Sequence, residues 1–218
     1  MEGHAPKYGS YKTANRRLLS WQREGVWERI LRELLNRGYK AGKILLENAC
    51  VDSTTLEAKK GEEIGLDGAR RKKGTKVLAM ADERGVPLSL SFLPANRHDS
   101  KGFFSVVEGI GLRGRRGRPR KRPLALHADS AFDSKEIREW LRRKGIKTNI
   151  AVNLRRGRRR GLSLAVRGLR RMRGVVERFF SWLKCGFRRL SVRWERGVEA
   201  FKGLVYFACF LIAWRVLR

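Results

Sequence analysis

Apolar residues recur at helical spacing early in the chain. Val26, Trp27, Ile30, Leu31 and Leu34 follow the i, i+3, i+4 rhythm, which predicts helix over residues 13–37 with one buried face. Gly25 divides off a shorter first helix, and Gly38 stands where a C-cap is expected. The rhythm then changes. Residues 44–51, ILLENACV, form a mostly apolar run that ends at Asp52 and reads as a strand. KVLAMAD (76–82) and PLSLSFL (87–93) read as two strands joined through the turn-like Glu83-Arg84-Gly85, a hairpin. Ser100–Gly109 suits a helix with Phe103, Phe104 and Val107 inward. Leu124–Ala128 is a short strand leading to Asp129. Asp133-Ser-Lys-Glu136 matches a capping box that opens a helix, with Ile137, Trp140 and Leu141 inward and Gly145 at its end. TNIAV (148–152) is a last strand. Residues 154–173 read as an Arg-rich linker, followed by a long helix from about Val175 and a final helix over 198–217.

A hairpin-rich start followed by strand–helix alternation predicts an α/β fold, a mixed five-stranded sheet flanked by helices, with a small N-terminal helical segment. The expected division is residues 1–42 for that segment and 43–218 for the main domain. The longest apolar run, GLVYFACFLIAW (203–214), falls short of the roughly 20 residues that span a bilayer. It reads as a buried core helix, so no membrane is implied. Met1–Ser10 is polar and does not resemble a signal peptide. Cys50, Cys185 and Cys209 lie far apart among apolar neighbours, without a C-x-x-C pair, and read as core thiols in a reducing cytoplasm. His4, His98 and His127 are equally scattered.

Charge changes the picture. Lys and Arg number 51 against 21 Asp and Glu, a net charge of +30. Such an excess selects a polyanionic partner, nucleic acid above all; a ribosomal-type RNA binder fits it as well. The basic residues are spread along the whole chain, which disfavours a membrane surface.

With acids so scarce, their positions carry information. Glu28, Glu33, Glu136 and Glu139 sit beside basic residues on helical faces and read as solvated ion pairs. Asp52 follows an apolar strand and precedes Ser53-Thr54-Thr55, and Asp129 ends LALHAD in the same way. Chemistry in open sheets gathers at such strand ends, although capping a turn is the simpler reading for either aspartate alone. Glu177 comes from a helix. Val176, Phe179, Phe180, Leu183, Phe187 and Leu190 form its apolar stripe, with Arg173, Glu177 and Lys184 along the edge. That strip fits an ordinary i, i+4 pair. It equally fits a carboxylate beside two cations at a phosphate-handling site, where Mg²⁺ takes a few carboxylate oxygens.

Three blocks then carry a resemblance: VDSTTLEAKKGEEIGLDG with KGTKVLAMADERGVPLSLSFLPANRHDS, then LHADSAFDSKEIREWLRRKGI, then VVERFFSWLKCGFRRLSVRWERGVEAFKGLVYFACFLI. In these the chain resembles insertion-sequence transposases of the Asp-Asp-Glu type, the group usually numbered five in the IS4-like superfamily, which have a ribonuclease H-like catalytic core. The resemblance implies a metal-dependent DNA transposase that cleaves and transfers strands. Asp52, Asp129 and Glu177 would be its catalytic carboxylates, holding Mg²⁺ or Mn²⁺. Arg173 and Lys184 match the Arg and Lys of the family's Tyr-Arg-Glu-Lys signature, while Arg170 stands in place of the Tyr. His98 and Asp99 would support the site from behind. The resemblance also implies double-stranded DNA as partner, both transposon ends and target. It implies a homodimer or higher multimer, and action in the cytoplasm of a prokaryote, at the nucleoid. Relatives usually carry a further helical segment upstream of YGSYKTANRRLLSWQREGVWERI, so this reading expects an N-terminally short copy or half of a two-frame product. The alternative is a catalytically inactive or truncated remnant that only binds DNA.

The remaining basic residues are read as DNA contacts: Arg115, Arg116, Arg118 and Arg120 in RGRRGRPRKR, and Arg155, Arg156, Arg158 and Arg159 in RRGRRR. Arg116-Gly117-Arg118-Pro119 resembles a minor-groove AT-hook core, and a loop touching only phosphates is the plainer reading. Trp182, Trp194 and Trp214 read as core residues; Trp194, beside Arg193 and Arg196, could instead stack on a splayed base. If phosphates take up the charge, DNA affinity measured by anisotropy should fall steeply and log-linearly between 50 and 200 mM salt, roughly a thousandfold or more. A flat salt profile contradicts this.

Overall fold

The computed structural model describes residues 9–68, 71–153 and 164–218, with 164–170 described as backbone only. Its centre is one strand bonded on both sides. β1, Asn48–Ala58, pairs antiparallel with β3, Lys72–Asp82, from Ala49↔Asp82 to Glu57↔Gly74. β3 pairs with β4, Pro87–Pro94, as a hairpin. On its other side β1 runs parallel to β5, Ala125–Ala128, and β5 runs parallel to β6, Lys147–Ile150. The main strands therefore stand in the order β4-β3-β1-β5-β6, a mixed sheet of the expected kind. Two short strands raise the number to seven: β2, Gly65–Asp67, on β3, and β7, Val192–Arg193, at the far end of β1. With three and two residues, they are too short to show a period.

The β3–β4 turn is organised by Asp82. Its Oδ1 accepts from Arg84 N at 3.0 Å and Val86 N at 2.8 Å, and Gly85 takes φ 86°, a conformation glycine adopts freely. Asp82 is wholly buried and its Oδ2 has no hydrogen-bond partner among the described residues. Burial pushes its carboxyl up to about 6, against the pull of the Val86 and Arg84 N–H groups.

Helices cover both faces. α3, Ser100–Glu108, lies on the face that carries Leu78: a Cβ on Gly102 would stand 3.0 Å from Leu78 Cδ2. α4, Lys135–Arg143, packs on β6. α5, Leu164–Gly186, crosses β1, β3 and β5, with Val176, Phe179 and Leu183 fully buried. Each such side chain contributes roughly 1.5–3 kcal/mol by leaving water. α6, Arg188–Ser191, leads into β7. The last helix, α7, Val198–Leu217, packs against α1 (Tyr11–Arg23), α2 (Val26–Lys40), α5 and β4. Trp27 joins the layers, with its ring 5.2 Å from Phe207 and 5.3 Å from Trp21.

Several expectations change. Residues 44–47 precede β1 instead of belonging to it, though Ile44 and Leu46 are buried. β1 does not end at Asp52, because its antiparallel pairing with β3 carries it on to Ala58. α5 starts at Leu164, not near Val175: buried Met172 carries the apolar stripe of Val175 and Val176 back into the Arg-rich stretch. It stops at Gly186, so Phe187 caps α6 and Leu190 lies in that short helix. Gly38 is inside α2, where a Cβ would come within 2.8 Å of Leu217 Cδ1; it permits close packing and is not a cap. The cap of α4 is Ser134, whose hydroxyl accepts from Ile137 N at 3.1 Å, because Asp133 is drawn inward to Arg138 at 2.7 Å. Cys185 is exposed. α7 is long and apolar enough to cross a membrane by length and composition. It is not buried all round: Phe207, Leu211 and Trp214 are exposed along one side.

Asp82→Asn should report the cost of the buried charge. A carboxyl whose folded pKa lies above its unfolded value is destabilising above the folded pKa, and the effect vanishes below the unfolded one. The variant keeps the Oδ1 acceptor. Thermal denaturation should show it more stable than wild type at pH 7–8 by roughly 1–3 kcal/mol, with the gap closing as pH falls from about 6 to about 4. A constant gap would contradict the assignment.

Candidate active site

Asp52 and Asp129 are placed by the end of one ladder. β1 and β5 are parallel and paired through Val51↔Ala128. There β5 stops, and the next residue on each strand is an aspartate. Alternation along a strand puts Asp52 on the face of Cys50, and Asp129 on that of His127, which pairs with Cys50. Asp129 Oδ1 accepts from Ala131 N at 2.8 Å and caps a 3₁₀ turn, Ser130–Phe132. The capping reading of Asp129 is therefore correct as far as it goes. Asp52 Oδ1 accepts from Ser53 N at 2.7 Å. Burial raises the Asp52 carboxyl to about 6; the Ser53 N–H opposes this, Asp129 and Asp99 add to it, and Arg173 offsets it.

α5 brings the other groups to this face. The buried Cys50 thiol is pushed well above its ordinary pKa, by burial first and then by Asp52, Asp129 and Glu177, with Arg173 acting against them. One side chain thus senses all four. Glu177 Oε1 meets Arg173 Nη2 at 3.4 Å, and both side chains are about half exposed, so this pair adds little stability. Lys184 lies further along α5, half-buried. Among the described residues no three Asp, Glu, His or Cys side chains are gathered closely enough to hold a metal ion. The structure brings Asp52 and Asp129 together, with Glu177 on the helix above them but turned to Arg173. Oxygen donors of this kind suit Mg²⁺ or Mn²⁺. A carboxylate kept from water and raised further by a second one nearby, as Asp52 is by Asp129, is also the setting in which a cation is favoured.

A second cluster backs Asp52 from the other face. Ser53 Oγ donates to Asp99 Oδ2 at 2.8 Å, and Lys76 Nζ lies 2.5 Å from Asp99 Oδ1. Lys76 also donates to the Arg97 carbonyl at 2.8 Å. Asp99 is thus tied through Ser53 to the backbone N–H that holds Asp52. His98 is exposed, and its ring bonds only Ser100 among the described residues. Sequence reasoning passed over Lys76 and Ser53. The signal was a lysine opening the apolar run of β3, KVLAMAD.

The basic loop is elsewhere. Arg115, Arg116, Arg118 and Arg120 are exposed between α3 and the start of β5, the end opposite Asp129. Leu112 and Arg120 pair across the loop's base, and Arg113 N donates to Asn36 Oδ1 at 2.8 Å. Arg155, Arg156, Arg158 and Arg159 lie outside the described residues.

Residues 46–212 match the family described as Transposase DDE domain. The chain is 35% identical over 150 residues to a protein named as a transposase for insertion sequence element IS402 of Burkholderia cepacia, covering 68% of this chain and 67% of the relative. It is 28% identical over 138 residues to one named for element IS6501 of Brucella ovis, covering 63% and 96%. In fold it is similar to the chain in a piggyBac transposase synaptic complex with hairpin DNA, with a TM-score of 0.52 at 10% identity. That match covers 94% of this chain and about half, 53%, of the solved one.

Removing one partner of a buried ion pair strands the other. Lys76→Met should cost roughly 3–5 kcal/mol in urea denaturation, and adding Asp99→Asn should restore part of it. Additive losses in the double variant would show that the two groups do not interact.

Proposed function

The chain belongs to the transposase DDE domain family, and we propose that it cuts and joins insertion-sequence DNA by metal-dependent phosphoryl transfer at Asp52, Asp129 and Glu177. The observation that carries this is the register Val51↔Ala128, which sets two aspartates side by side beneath a helix bearing Glu177 and Arg173. In this reading the three carboxylates hold Mg²⁺ or Mn²⁺. Bound there, divalent ions would stabilise the attacking and leaving oxygens of an in-line displacement at phosphorus.

The protein's own groups do the rest. Ser53 N–H keeps one oxygen of Asp52 in place and leaves the other for a cation. Glu177 exchanges Arg173 for the site, and the freed guanidinium takes a phosphate oxygen, a geometry arginine favours. Lys184, seven residues along the helix, holds the backbone further out. Water attacks phosphorus at the transposon end and breaks the bond to the 3′-oxygen, which leaves as a 3′-hydroxyl; that hydroxyl then attacks a target phosphodiester, forming one P–O bond as the target's own 3′-oxygen is displaced. The Arg-rich loop and RRGRRR hold double-stranded DNA through its phosphates. We place the chain in the group-five, IS4-like set with a ribonuclease H-like core over 43–218. Residues 1–42 serve DNA binding or dimerisation, in a homodimer or larger multimer that bridges two ends. It works in the bacterial cytoplasm, at the nucleoid.

Asp129→Asn tests the assignment. The amide retains the cap acceptor for Ala131 and loses the charge. Cleavage and strand transfer on a labelled end substrate should fall by at least a hundredfold while duplex affinity stays within about twofold, since a neutral ligand forfeits most of the transition-state charge stabilisation. Strand joining by this variant at the wild-type rate would remove Asp129 from the mechanism.

A further inference from the structure

Trp194 has the largest relative exposure of the exposed large hydrophobic residues, at 66%, against the core role its sequence context suggests. The backbone beneath it is clamped. Arg193 is buried, and Nη1 donates to Thr75 Oγ1 and, at 2.8 Å, to the Glu62 carbonyl. Its Nε reaches the Glu195 carbonyl at 2.9 Å and its Nη2 the Arg196 carbonyl at 3.2 Å. The guanidinium lies 4.8 Å from the centre of the Phe201 ring. Glu62 N donates to the Arg196 carbonyl and Val198 N to Glu62 Oε2, both at 2.9 Å. Gly61 sits so close that a Cβ there would come within 2.6 Å of the Arg196 carbonyl oxygen. An indole held outward on so fixed a base is presented and not merely left over: exposure forgoes burial energy, and the clamp spares the ordering cost of binding.

The surroundings say what it meets. Arg188, Arg196, Lys59 and Lys60 are exposed, and none forms an ion pair with a described residue. The nearby acids are engaged, Glu195 with Arg189 at 2.8 Å and Glu62 in the clamp. An exposed aromatic side chain in a segment whose exposed cations have no described ion-pair partner fits a ligand that is both π-faced and anionic. A second copy of this chain, at +30, fits poorly. In paired DNA the base faces are stacked on one another, so only an unpaired base offers its own. The position is in keeping. β7 pairs with the end of β1 at Ala58↔Arg193, about 20 Å along the strand from Asp52 by strand rise. We infer that Trp194 is a stacking platform for an unpaired base of the DNA strand held at the carboxylates. This rests on the DNA-cutting reading above.

The test uses the full chain and three probes: a single strand, a fully paired duplex, and a duplex with one unpaired base, measured by anisotropy without divalent metal. Trp194→Ala should weaken binding to the first and third by roughly 5- to 100-fold and to the paired duplex less than twofold. Trp194→Phe should restore most of the loss, which guards against misfolding. Equal loss on all three probes, or none on any, overturns the inference. So does unchanged DNA binding with a shift to a smaller species in sedimentation, which would make Trp194 a self-association contact. Because no cleavage is needed, the result is independent of Asp129→Asn. A normal Trp194 effect with an active Asp129→Asn protein defeats only the catalytic assignment. No Trp194 effect with an inactive one defeats only the stacking.

Discussion

Everything at the site depends on where β1 and β5 stop pairing. Up to Val51↔Ala128 the two strands share a parallel ladder, and one residue later each carries an aspartate. Two carboxylates so close, with Asp52 largely taken out of water, repel each other, and the shift of Asp52 to about 6, owed first to burial, records part of the cost. The sheet tolerates it because β1 is bonded on both sides and continues past Asp52 on its antiparallel partner.

Compensation comes from both faces. Above the pair, Arg173 on α5 lowers the Asp52 carboxyl. Behind it, Lys76, Asp99 and Ser53 form a chain of contacts that ends on the N–H bonded to Asp52. Lys76 and Asp99 neutralise each other, so Asp52 is positioned without a free cation being set against it. Glu177 is the least enclosed of the three acids. It sits on the exposed edge of a helix whose other edge is deep in the core, and its present partner is an exchangeable surface cation. The wider charge of +30 opposes self-association of bare chains and favours a polyanion that draws them together.

Much of this was legible in the residues. Helical periods located α3 and α4, because each buries one regular face, whereas continuous apolar runs located α7 and, with the turn between them, the hairpin strands. The apolar runs before Asp52 and Asp129 marked both acids. Their meeting was not legible, since it depends on strand register, and register arises from packing across the sheet. Lys76 was hidden because a lysine at the start of an apolar run looks like an ordinary strand end until its partner Asp99 is found. The start of α5 was obscured by the arginines at 167, 170, 171 and 173, which interrupt its apolar positions. Trp194 was misplaced because the clamp beneath it is built from residues far away in sequence, Glu62 and Thr75, which hold Arg193 inward and leave its neighbour outward.

The central claim is that the three carboxylates form one metal site once Glu177 leaves Arg173. The most direct measurement is anomalous diffraction from crystals of the chain with Mn²⁺ and a DNA end. The account predicts Mn²⁺ at about 2.1–2.3 Å from oxygens of Asp52, Asp129 and Glu177, by the range for small hard cations, with Arg173 turned to a phosphate. Mn²⁺ bound elsewhere, or Glu177 still on Arg173 with the metal in place, would contradict it.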